Sequence, residues 1–272
     1  MPEQKPSGSA YGKISHLNLK FCRQQKKTIL EDVYFTAPFK VMQPFLSNTA
    51  ARFMILSASA GIMAGDRQDI DIYLKKGTTV ELTAQSYEKI HKMIDGEGRR
   101  STTITLEKDT LLFYVPQPVI PFADSAFTSD TVIHLTDNTS KLFFSEILSS
   151  GRTAYDERFL YKKYSASVKI YEGNDICYFE NSRYLPAQQN LNGFGSYEGY
   201  THLATILLFN FTVADSSLTE KIRQLLDMHK ELDGGVSCTE NKYLCIKSFA
   251  SSGQSLVNFI DSIKKLLKID QV

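Results

Sequence analysis

From residue 11 to about residue 213 the chain repeats one arrangement: a short run alternating apolar and polar residues, followed by a turn. Leu17, Leu19 and Phe21 alternate with His16, Asn18 and Lys20. Alternation sends one set of side chains to each face of a strand, so one face is buried and the other wetted. Residues 28–35, 101–106, 111–115, 131–135, 141–148, 159–164, 167–171 and 176–180 all read as strands. Asp95-Gly96, Asp109, Asp137-Asn138 and Gly173-Asn174 punctuate them as turns. About ten or more strands at roughly ten-residue spacing restrict the body to a sandwich, a barrel or a stacked β-solenoid. No fixed repeat length is visible.

The stretch 53–91 shows the pattern at its densest. An apolar run at 53–56 enters a turn of small residues ending at Gly61, and Gly65-Asp66 follows. Ile70, Ile72 and Leu74 then face one way and Asp69, Asp71 and Tyr73 the other. Asp66 therefore sits at a glycine-flanked bend between two strands, either as a turn cap or as a group placed for chemistry. The last quarter changes character. Ser217-Leu218-Thr219-Glu220 reads as a capping box, Ile222, Leu225, Leu226 and His229 follow at helical spacing, and Asp233-Gly234-Gly235 is expected to stop the helix. A strand at 243–249 precedes a second apolar stripe, Leu256, Phe259, Ile260, Ile263 and Leu267. Two amphipathic helices thus close a β body. No Pro/Ser-rich linker separates them, so residues 11–272 are read as one domain behind a polar, disordered tail at 1–10.

Composition narrows the function. Basic and acidic residues number 31 and 30 and are interspersed, which argues against a nucleic-acid footprint or a polybasic membrane surface. No apolar run reaches the length of a membrane span, and the polar opening MPEQKPSGSA does not read as an export signal, so a cytoplasmic location is expected. Cys22, Cys177, Cys238 and Cys245 form no C-x-x-C pair, and the five histidines occur singly, so a tight structural metal site is not expected. Gly61–Asp66 lacks the Lys-Ser/Thr of a phosphate loop, and the glycines of 193–199 do not make G-x-S-x-G; both read as turns. The acids say more. Glu146 and Glu180 each follow an aromatic-rich strand, and burying an ionised carboxylate there costs several kcal/mol unless it is paired or wet. Arg152, Arg158 and Arg183 are available for salt bridges, the reading that base rates favour; a water-filled passage is the alternative.

The order of several segments carries a resemblance. Ala37-Pro38-Phe39-Lys40, Gly61 to Gly65-Asp66, and Leu82-Thr83-Ala84-Gln85-Ser86 with Lys89-Ile90 make a first half. Residues 116–122 (PQPVIPF), Ser145-Glu146, Gly151-Arg152-Thr153-Ala154 and Glu157-Arg158-Phe159 make a second, followed by Gly199-Tyr200-Thr201-His202 and residues 233–237 (DGGVS). From about residue 12 to the last helix, the chain resembles the urease accessory proteins UreD, called UreH in some bacteria. The resemblance implies a mainly β body of stacked, β-helix-like strands with two C-terminal helices. It also implies a cytoplasmic protein that is not an enzyme. Such a protein works in a complex with UreF and the GTPase UreG, in which a dimer is one arrangement, docks on apo-urease and helps deliver nickel. No tightly bound cofactor is implied, only nickel in transit. A polar internal passage lined by acids falls on Asp66, Glu88, Glu146 and Glu180, with Thr83, Gln85, Lys89, Arg152 and Glu157 supporting passage or loop. Tyr155, Phe159, Leu256 and Phe259 are the expected partner-facing residues, although the last helix suits covering its own β body equally well. The chain departs from the family at Ser59-Ala60-Gly61, usually Ser-Pro-Gly, at Pro118, where an acid is common, and at Asp156, frequently Gly.

Isolated acids suit transit. Imidazole and thiolate hold divalent nickel strongly, whereas carboxylate, hydroxyl and water bind it weakly and exchange it faster. Two other readings stand beside this one. A bare assembly scaffold needs no metal route, and a carbohydrate-active β-solenoid needs two carboxyls across one sugar bond.

Overall fold

The computed structural model describes residues 14–43, 45–46, 51–211, 216–239 and 243–267. In chain order its strands begin with β1 Ile14–Gln24, β2 Lys27–Phe35, β3 Phe39–Val41, β4 Phe45–Leu46, β5 Ala51–Ser57, β6 Arg67–Leu74 and β7 Thr79–Ala84. They continue with β8 Glu88–Ile90, β9 Gly98–Leu106, β10 Leu111–Val115, β11 Val119–Pro121, β12 Ala126–Leu135, β13 Lys141–Ser149, β14 Gly151–Arg152 and β15 Glu157–Arg158. After β16 Lys163–Glu172, β17 Asp175–Tyr184 and β18 His202–Phe209 come helix α1 Ser216–Met228, β19 Leu232–Cys238, β20 Leu244–Ala250 and helix α2 Gly253–Leu266.

Of the three β architectures that the spacing allowed, the stacked one is adopted. The chain shuttles between two sheets, and each crossing adds a parallel strand to the sheet it reaches. One sheet gains β6, β9, β12 and β16 in turn, and the other gains β5, β7, β10 and β13. Antiparallel strands finish the stack, with β2 on β1, β17 on β16, and β18, β20 and β19 extending the second sheet beyond β13. The turns between coils differ in length, which is why no sequence period marks the stack.

Parallel register aligns like with like. Leu74, Leu106 and Leu135 form one rung of the seven-stranded sheet, and Ile72, Ile104, Ile133 and Ile170 the next. These pack against Val80, Leu82, Leu112, Leu142 and Phe144 of the facing sheet as one apolar cluster. Two steps toward the strand starts, the rungs turn polar: Ile70–Thr102–Thr131–Val168, then Gln68–Arg100–Ser129–Ala166. Beyond them a second cluster closes over, with Ile62, Ile90, Phe127, Leu148 and Tyr164. A polar seam therefore runs between two apolar clusters inside the stack.

Both helices cover the opposite face of the second sheet, where Phe113, Phe143, Ile206 and Ile246 meet Ile222, Leu256, Phe259 and Ile263. Lys264 of α2 lies 2.6 Å from the buried Glu81 of β7, which also pairs with Arg52 at 2.7 Å. Leu256 and Phe259 are both 0% exposed, so the last helix covers its own β body, and these two expected partner-facing residues offer no surface. Among the described residues, no helix is long and apolar enough to cross a membrane.

Three local expectations are corrected. The first helix ends at Met228, and Asp233-Gly234-Gly235 lies inside β19 rather than stopping it. The glycine answers close strand pairing: a Cβ on Gly234 sits 2.3 Å from the Lys247 carbonyl oxygen of β20. Residues 159–164 are not a separate strand; β16 begins at Lys163, after a bend in which Phe159 takes φ 55. The first helix begins at Ser216, so Ser217 lies within it rather than at its cap. The cap itself, like the tail at 1–10, lies outside the described residues.

Candidate functional site: a polar seam between the sheets

Glu146 shares its strand parity with Leu142, Phe144 and Leu148, so β13 aims it between the sheets. It accepts no hydrogen bond from any described residue, and no described cation is bonded to it. It faces two small cavities, which is how a residue this deep retains accessible surface. Burial pushes its carboxyl up to about 7, with the nearby Glu180 charge adding to the rise and Arg100 opposing it. The expected salt bridge to Arg152, Arg158 or Arg183 is not made. Small cavities, rather than a paired cation, border it.

Glu180 enters the first of these cavities from β17. It is paired, but with Lys247 at 2.6 Å on β20 rather than with an arginine. Burial pushes its carboxyl up; hydrogen bonds from Lys247, Tyr178 and, at 2.9 Å, Ser182 more than offset this, so the net shift is downward. Tyr164, Tyr184 and Thr205 complete much of the wall.

The second cavity extends from Glu146, Ile147 and Tyr164 to Ala84, Ser86 and Glu88. Arg100 stands in it, its Nε and Nη2 donating to Gln68 Oε1 at 2.8 and 2.6 Å and its Nη2 donating also to Glu88. Burial alone would lower the pKa of Arg100, but the Glu88 charge overrides it and the guanidinium stays protonated. The Tyr114 phenol, also on this wall, is pushed up to about 12, mainly by burial. Ala84, Ser86 and Glu88 then border a third cavity, which opens beside Ser57, Ser59, Gln85 and Lys89. Gly61 lines that mouth with φ 145, and a Cβ there would sit 2.3 Å from the Lys89 carbonyl oxygen. The inner two cavities hold about 40 and 50 Å³ for water centres, against the roughly 10–15 Å³ that one water needs. Neighbouring cavities share walls: Glu146, Ile147 and Tyr164 stand between the first and second, and Ala84, Ser86 and Glu88 between the second and third.

Three of the four expected acids, Glu88, Glu146 and Glu180, thus lie along one line of cavities. Asp66 stands apart: its Oδ2 accepts the Met63 N–H at 2.8 Å, the turn-cap reading, and it borders none of the three. Gln85 and Lys89 line the outer mouth, whereas Thr83 is on the same face of β7 as Glu81, turned from the seam. Arg152 and Glu157 form a bidentate ion pair that closes the 150–158 loop, with Arg152 4.2 Å over the Phe122 ring. Asp156 in that loop has φ 57, a left-handed backbone that glycine adopts most easily. Tyr155 is 72% exposed, and Phe159 packs edge-on to Tyr197 at 5.0 Å.

Sequence reasoning missed Arg100, Gln68 and Lys247. Parity held the signal for the first two: Arg100 is in phase with Ile104 and Leu106, and Gln68 with Ile70 and Ile72, once each strand is extended toward its start. Glu146 and Glu180 titrate apart, as an acid and a base of a glycosidase do. The cavity between them is about 40 Å³, too small for a sugar ring. Among the described residues, no three His, Cys, Asp or Glu side chains gather as a metal site.

A family profile described as UreD urease accessory protein matches residues 13–271. The urease accessory protein UreD of Acetivibrio thermocellus is 37% identical over 259 residues, which cover 94% of this chain and 98% of that one. UreH of Helicobacter hepaticus is 35% identical over 252 residues (92% and 97%), and UreH of Helicobacter pylori strain J99 is 31% identical over 261 (95% and 97%). These relatives carry the names of accessory proteins rather than enzymes, and the match runs through every strand of the stack: this chain belongs to the UreD family of urease accessory proteins.

Proposed function

We propose that this protein helps mature urease in the cytoplasm, in a complex with UreF and UreG docked on apo-urease, and that nickel travels through its polar seam. The observation that carries the reading is Glu146, a carboxylate without a bonded partner in the wall shared by two of three neighbouring cavities. The seam offers a dication a few spaced carboxylates, with Glu146 shared by both inner cavities, among hydroxyls and amides. Such ligands hold divalent nickel weakly and release it quickly, as transit requires. At rest the high pKa of Glu146 keeps much of its carboxyl protonated near neutral pH, which lowers the cost of its burial. An arriving dication favours the ionised form, so the proton leaves as the ion binds and returns as it departs.

The test is urease activation at limiting nickel by complexes carrying E146A or E146L. Activation is expected to fall by about tenfold, while co-purification with UreF, UreG and urease is unchanged. Full activation by both variants, with intact partner binding, overturns the reading. The scaffold reading has its own support in apolar side chains exposed on two edge strands, Tyr34 and Phe35 on β2 and Ile176 and Phe179 on β17, and in Tyr155 on the loop. Under that reading the same variants activate as well as wild type, and only surface changes reduce assembly.

A further inference from the structure

At the centre of the seam stands a cation. Arg100 is tied to Gln68 by two donors and to Glu88 by one, and Phe127 lies beneath it with its ring centroid 5.7 Å from the guanidinium carbon. Glu88 borders both the outer and the middle cavity, whereas Arg100 borders only the middle one. An ion entering beside Ser57 and Lys89 therefore meets the carboxylate before the guanidinium. On its other side Arg100 shares the middle cavity with Glu146. One guanidinium thus faces two carboxylates, bonded to one and free of the other.

We propose that Arg100 gates the route: it holds Glu88 in the absence of metal and yields it, still tethered to Gln68, to a divalent cation moving between the outer mouth and Glu146. This rests on the passage reading and adds the residue that keeps a cation from lodging. Glu88 released by its guanidinium is a ligand for the dication; the returning guanidinium expels it toward the next carboxylate. Gln68 is neutral, so it keeps the arginine within reach without drawing on its charge. A planar fork suits the task, because it can let one bond go while others hold the group in place.

Nickel binding by the purified full chain, measured by equilibrium dialysis, tests this without urease. R100M leaves Glu88 unpaired and is expected to bind nickel about tenfold more tightly than wild type. R100M/E88Q is expected to lose that gain. Equal affinity of R100M and wild type, or tight binding that survives in the double variant, overturns the gate. Should R100M fail to fold, R100Q decides: its neutral amide removes the charge that holds Glu88, so tighter nickel binding than wild type supports the gate and equal binding overturns it. The two readings fail separately. Loss of activation in E146L with no nickel gain in R100M leaves the passage and removes the gate. Full activation in E146L removes the passage itself.

Discussion

Glu146 shows what a single side chain contributes here. Its carboxyl titrates near 7 in the folded chain and near 4.5 when unfolded, so between those values the native state holds a proton that the unfolded chain has released. Raising the pH through that window therefore favours unfolding, and the penalty is complete above about 7. E146Q, which cannot ionise, is expected to be the more stable protein at pH 8 by up to about 3 kcal/mol, and to lose that advantage at pH 4. Urea denaturation of both proteins across that range checks it. Glu180 has the opposite sign: its lowered pKa stabilises the fold at neutral pH, and that share is lost as pH falls through the lowered value. K247M is expected to reduce this acid-side slope, measured in the same series. That Glu146 points inward was legible from its phase with Leu142, Phe144 and Leu148. Its lack of a partner was not, because the guanidinium whose charge reaches it comes from β9, 46 residues earlier.

Among the elements, α2 was the most readable and its role the least. The stripe of Leu256, Phe259, Ile260 and Ile263 predicts a helix with one apolar face but is silent about what covers it. The structure sets that face on Phe113, Phe143, Ile206 and Ile246. F259A therefore opens a cavity in a closed cluster and is expected to cost about 3–5 kcal/mol in denaturant unfolding. Partner co-purification by the folded fraction is expected to be unchanged, since Phe259 presents nothing outward. Lys264 adds a polar anchor to the same helix: K264M leaves the buried Glu81 one cation poorer and is expected to lower the thermal midpoint. Truncation after residue 249 strips α2 from this face and leaves only α1 on it, so it is expected to yield insoluble protein rather than a folded stack without partner binding, as sedimentation of the expressed fragment would show.

For the whole molecule, two parallel ladders facing each other create the seam, and its continuity is open to a steric test. Ala84 borders both the outer and the middle cavity. A84F places a ring at that junction without touching any charge. Activation at limiting nickel is expected to fall about tenfold, as for a blocked pore. The thermal midpoint is expected to stay within about 2–4 °C of wild type, read by circular dichroism. A plugged variant that activates fully would show that no cargo uses the junction.

The amino-acid sequence by itself determined most of the longer strands, the two helices and which side of those strands is apolar, because alternation and helical spacing are local and survive in one dimension. It also carried the family, through the order of motifs from Ala37-Pro38 to the glycines of 233–237. Only the tertiary structure decided which rungs align, and so placed Gln68, Arg100 and Ser129 on one polar rung between two apolar clusters. It alone paired Glu180 with Lys247 and left Glu146 facing open space. Those outcomes depend on register between strands about thirty residues apart, which is set by packing of whole faces rather than by any local signal.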